Sequence, residues 1–147
     1  MSEIREARLQ KANSLISRGF VSYAESFKVT HTIKFLFQKF DNLENGQEKD
    51  FNVSLAGRVM AKRVMGKIAF FTISDQEGQI QLYLDKKIIN FNLEIQKSLS
   101  FEDVKEIVDI GDWIGVYGTI KKTNKGELSI KVEKWEMLSK SLQPLPD

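Results

Sequence analysis

Cysteine is absent from this 147-residue chain, so neither a disulfide nor a thiolate metal site can form. That fits a reducing compartment. A single histidine, His31, provides no pair for a histidine-based metal site and argues against a serine–histidine triad. No apolar run approaches the roughly 18 residues of a membrane span. The opening Met-Ser-Glu-Ile-Arg-Glu lacks the apolar centre of a secretory signal. The expectation is a cytoplasmic chain without a membrane segment. No glycine-rich phosphate loop is present, because Gly66-Lys67 lacks the first glycine at the required spacing. Only two prolines occur, and both fall in residues 143–147, a stretch that cannot continue a strand and reads as a domain exit. Charge of one sign is scarce too, the net charge being +2. A uniformly basic, phosphate-tracking surface is therefore excluded. Composition favours binding over catalysis, and any nucleic-acid surface must rest on where a few charges and rings sit.

What is present is ordinary for a folded domain: 41% hydrophobic and 29% charged residues, in a chain long enough for one core. Residues 3–18 carry helical spacing, with Ile4, Leu9, Ala12, Leu15 and Ile16 able to share a face and Gly19 as a stop. Arg5, Arg8 and Lys11 line a separate flank, which suits a solvated face and equally one that follows phosphates. A second helix is expected over 31–41, with Thr30 as N-cap and Ile33, Leu36, Phe37 and Phe40 as its buried stripe. Residues 41–50 are polar, contain Asn45-Gly46 and read as a linker.

From Phe51 the period changes to two. Phe51, Val53, Leu55, Gly57, Val59 and Ala61 share a parity, predicting one long strand with Gly57 as its bend. Further strands are expected at 68–74, 79–84, from near Asp112 through Ile120, and at 127–138. Between the third and fourth, residues 86–109 have helical spacing, and Ser100 with Asp103 resembles a capping box. The order β-β-β-α-β-β predicts a mainly β chain with α: a five-stranded OB-fold Greek-key barrel with N-terminal helices and a helical insertion between strands 3 and 4. Residues 1–50 then form a helical extension and linker, 51–140 the barrel, and 141–147 an exit.

Alternation sorts the strand faces. Ala69, Phe71 and Ile73 point inward, as do Ile80, Leu82 and Leu84, and Leu128, Ile130 and Val132; a bulge near Glu133 restores Trp135. Phe70, Gln81 and Tyr83 are left outside, with Glu127, Ser129 and Lys131. Exposing a phenylalanine forfeits burial worth about 1.5–3 kcal/mol, unless an unpaired base stacks on it. Gln81 can read a base edge. Arg63 can donate two parallel hydrogen bonds, and Glu127 is an acceptor beside the turn joining the last strands. Plainer readings stand beside these. Phe70 also suits packing beneath the helices, Gln81 and Glu127 suit solvated strand positions, and Arg63 suits an ion pair with Asp75 or Glu77. Asp75 with Glu77, and Asp109 with Asp112, read as turn residues rather than catalytic or metal pairs.

Several segments resemble the anticodon-binding domain of bacterial-type class II lysyl-tRNA synthetases. They are Val53 to Phe70 (VSLAGRVMAKRVMGKIAF), Gly78 to Tyr83 (GQIQLY), Gly111 to Gly115 (GDWIG), Thr123 to Ile130 (TNKGELSI) and Lys140 to Asp147 (KSLQPLPD). The opening Ile4 to Leu9 helix and Thr30-His31-Thr32 are similar as well, so the likeness covers nearly the whole chain. The aspartyl and asparaginyl enzymes share the barrel but match the turns and the exit less well. The resemblance implies that Phe70 stacks on the central uridine of a lysine tRNA anticodon, Arg63 and Gln81 hydrogen-bond that base, and Glu127 contacts a neighbouring one. More loosely, it implies that Arg5, Arg8 and Lys11 approach the tRNA, although Glu3 and Glu6 share their helix. It further implies a homodimeric parent that attaches lysine to tRNA using ATP and magnesium through a domain following this one. The 147 residues themselves are expected to need no cofactor and to be inactive alone. Two alternatives remain: a general single-stranded nucleic-acid binder, and a protein-interaction module built on the same barrel.

Overall fold

A computed structural model of the chain describes residues 3–17, 27–96 and 99–142, the side chains of 15–17 and 94–96 excepted. Gly19 and the 143–147 exit lie outside the described residues. Helix α1 (Glu3–Ser17) precedes α2 (Ile33–Phe40), then β1 (Glu48–Met65), β2 (Ile68–Ser74), β3 (Gln79–Asp85), α3 (Lys86–Gln96), α4 (Phe101–Ile107), β4 (Trp113–Lys122) and β5 (Leu128–Ser139). The strands close into a barrel in the order β1-β2-β3-β5-β4. Every pairing is antiparallel except β3 with β5. That parallel contact closes the ring, leaving no sheet edge.

β2 and β3 show the expected alternation without a slip. Ala69, Phe71, Ile73, Ile80, Leu82 and Leu84 are all buried, and the residues between them are not. In β5 the register shifts where Tyr117 faces Lys134 and Gly118 faces Val132. Glu133 is thus the extra residue of a bulge, and Trp135 returns to the core. The bulge presses backbone on backbone, since a Cβ on Gly118 would stand 2.1 Å from the Lys131 carbonyl oxygen. α3 and α4 lie against the barrel. Ser100 and Asp103 form the capping box, and Trp135 Nε1 donates to the Ser100 carbonyl at 3.4 Å.

Five expectations need correcting. The break in β1 falls between Val59 and Ala61, not at Gly57. It turns Ala61 outward and lets Lys62 reach the carbonyls of Lys105 and Val108, each at 2.7 Å. The N-cap of α2 is Thr32, whose Oγ1 accepts from Phe35 N–H, because Thr30 is engaged by Ser54 of β1. The linker ends sooner than expected, β1 starting at Glu48. Ser129, expected outside, is fully buried. In α1, Ile4, expected on one apolar face with Leu9 and Ala12, is exposed.

Candidate nucleic-acid interface

The β2–β3 register sets the site. Phe70 stands opposite Tyr83, and Thr72 opposite Gln81, so Phe70 and Gln81 are diagonal neighbours on the outer face. β1 adds Arg63 directly across from Phe70. On the other side, Gln81 pairs with Ser129 of β5, which brings in the β4–β5 turn. That turn is tightly held: Thr123 N–H donates to the Glu127 carbonyl, Glu127 N–H to Thr123 Oγ1, and Gly126 N–H to the Thr123 carbonyl, at 2.9–3.0 Å. Gly126 has φ +93°, a conformation that side chains other than glycine's rarely adopt.

Together these elements enclose a depression of about 400 Å³, lined by Arg63, Met65, Phe70, Gln81, Tyr83 and Lys121 and closed by the 123–127 turn with Glu127. All four sequence candidates of the barrel therefore meet in one cleft. Phe70 is half-buried. The ring of Tyr83 meets it edge-on at 5.7 Å, and the Arg63 guanidinium lies 5.0 Å from its centroid. Gln81 is held by Ser129, Nε2 donating to Oγ at 2.9 Å. Glu127 is exposed at the rim. Asp75 is not paired with Arg63; its carboxylate accepts the N–H groups of Ile33, Glu77 and Gly78 instead, the expected turn role.

The sequence reading gave no role to Lys121 of the cleft or to Lys131 beside it. Lys121 lies over Tyr83 at 5.2 Å and pairs with Glu48 at 3.1 Å; Lys131 pairs with the same carboxylate at 2.8 Å. Hydrogen bonds from Lys131 and Lys121 hold the Glu48 carboxyl below the usual carboxylate range. Nothing in local periodicity brings Glu48, Lys121 and Lys131 together.

The basic stripe of α1 lies elsewhere. Lys11 binds Asp109 at 3.0 Å and Arg8 approaches the same carboxylate at 3.8 Å; Arg5 is half-buried. Asp109 precedes β4, whereas the cleft lies at the strand's far end. Among the described residues no group of three or more His, Asp or Glu side chains could hold a metal ion. None of their helices is long and apolar enough to cross a membrane.

Residues 53–138 match the sequence model of a family described as the OB-fold nucleic acid binding domain, named for the tRNA anticodon. The chain belongs to that family. The OB-fold domain is also similar, over its full 147 residues, to lysine–tRNA ligases: 89% identical to that of Prochlorococcus marinus (strain MIT 9312) and 50% identical to that of Synechococcus sp. (strain RCC307). It spans 29% and 28% of those two proteins, under a third of their length. The matched region contains every strand of the barrel except the start of β1 and the end of β5, and all four residues of the cleft that sequence parity had singled out.

Proposed function

We propose that this OB-fold domain reads the anticodon of lysine tRNA, as the anticodon-binding part of a cytoplasmic lysine–tRNA ligase. The observation that carries the reading is the convergence of Arg63, Phe70, Gln81 and Glu127 on one open cleft whose floor is aromatic and whose rim can both donate and accept. An unpaired base stacks on Phe70 and displaces the Arg63 guanidinium from the ring. The freed guanidinium then donates to the base edge beside Gln81, and Glu127 accepts from a neighbouring base.

ATP, magnesium and lysine activation belong in this proposal to the remainder of the ligase, as does homodimer formation. Arg5, Arg8 and Lys11 enter it only as positive charge approaching the tRNA, since Asp109 engages Arg8 and Lys11.

The test is a titration of the chain with lysine-accepting and aspartate-accepting anticodon stem-loops at two salt concentrations. The proposal expects preference for the lysine stem-loop at both, with affinity falling as salt rises. Equal affinity for the two would mean that only the shared central uridine is read, whereas a general single-strand binder would also keep its affinity when that uridine is replaced by another base. Absence of salt dependence would favour a protein-interaction module.

A further inference from the structure

Ser129, the β5 partner of the cleft residue Gln81, is buried, 0% exposed although its parity points to the outer face. Gln81 covers it, Nε2 donating to Ser129 Oγ at 2.9 Å. Ser129 Oγ in turn donates to the Glu127 carbonyl at 3.2 Å. A hydroxyl carries one proton. Once that proton is given to Glu127, the oxygen can only accept, so the side of the Gln81 amide that meets it must be the NH2. Primary amides are nearly symmetric in shape and flip easily where nothing distinguishes their two ends. Here the relay distinguishes them.

We propose that Ser129 is a positioning residue: it locks the Gln81 amide so that Oε1 faces the cleft as an acceptor, which selects a base presenting a ring N–H. The inference rests on the anticodon reading above and deepens it. Uracil offers a ring N–H flanked by two carbonyl oxygens. Its N–H meets Oε1, and its oxygens suit Arg63, which has donors only. Cytosine turns a ring lone pair toward the same point, and two acceptors then face each other without a proton between them. An unlocked amide would escape by flipping its NH2 toward cytosine. Discrimination therefore depends on a serine that itself never touches the base.

Ser129→Ala tests this with little collateral damage, because the Glu127 carbonyl keeps the Thr123 N–H at 3.0 Å and is not orphaned. The 147-residue chain and its variants are titrated with hairpin RNAs that differ only in the central anticodon base, uridine or cytidine, at one salt concentration. Thermal melting checks that each variant is folded. Wild type is expected to favour uridine, and Ser129→Ala to lower the uridine-to-cytidine affinity ratio about tenfold, the worth of one such contact. Gln81→Ala should lower the ratio similarly, and adding Ser129→Ala to it should change nothing more, since the serine acts through the glutamine. Wild-type preference that survives Ser129→Ala overturns this inference and leaves the anticodon reading standing. So does a double variant in which the two losses add. A wild-type chain that binds both hairpins equally overturns the anticodon reading and this inference with it.

Discussion

Phe70 sits between two demands. Its strand seals Ala69, Phe71 and Ile73 into the core, and alternation then forces the intervening ring outward whatever its own preference. Tyr83 and Arg63 shelter it only in part. Replacing it with alanine should weaken binding of a lysine anticodon stem-loop by about 1–3 kcal/mol. Affinity unchanged at constant salt would remove Phe70 from the interface. Glu48 carries the opposite expectation. Lys131 and Lys121 lower its pKa, so it remains a carboxylate throughout the neutral range and cancels charge that phosphates would otherwise meet. Glu48→Gln should raise stem-loop affinity about two- to threefold at low salt and steepen the slope of log affinity against log salt by roughly one unit. A slope identical to wild type would show that Lys121 and Lys131 do not face phosphate.

How much the sequence reveals depends on how local the deciding interaction is. β2 and β3 were legible because a short hairpin with a clean period of two specifies both its register and its faces. Phe70, Gln81 and Tyr83 followed from that alone. The bulge at Glu133 was legible from the slip in phase before Trp135. The break at Val59–Ala61 was not, because Gly57 offered a more conspicuous candidate for the bend. Gly57 instead serves a close approach, its Cβ position lying 2.9 Å from the Ser74 carbonyl oxygen. Thr30 and Thr32 were equally plausible caps by composition; only the pairing of Thr30 with Ser54, 24 residues away, separates them. Ser129 and the Glu48 lysine pair depend on registers among β1, β3, β4 and β5, which no window of sequence contains. Gly118 is another such position. An added methyl would collide with Lys131 backbone that cannot yield without opening the barrel seam. Gly118→Ala should therefore cost about 2–3 kcal/mol or more, read as a lowered thermal midpoint. A midpoint within a degree of wild type would mean that the β4–β5 bulge relaxes freely.

The molecule has two poles joined by β4. The cleft occupies the end near Lys122. At the other end Asp109 and Asp112 gather Lys140, Lys11 and the N–H of Ser141, fastening α1 and the chain beyond β5 to the barrel mouth. Burial works against ionising Asp109, but Lys140 and Lys11 outweigh it and hold its carboxyl below the ordinary aspartate range. A carboxyl whose pKa falls on folding contributes stability that is complete above its unfolded value, near about 4, and is lost as pH drops through the folded value. Removing that charge should therefore matter at neutral pH and cease to matter in acid. Asp109→Asn should cost about 2 kcal/mol at pH 7 and expose α1 to proteolysis. The gap between its thermal midpoint and that of wild type should narrow as pH falls below about 4. Stem-loop affinity, set at the opposite pole, should change far less than it does for Phe70→Ala. A midpoint gap that stays constant from pH 7 down to pH 3 would show that ionised Asp109 is not what fastens α1, and the helix would then have to be held by its other contacts.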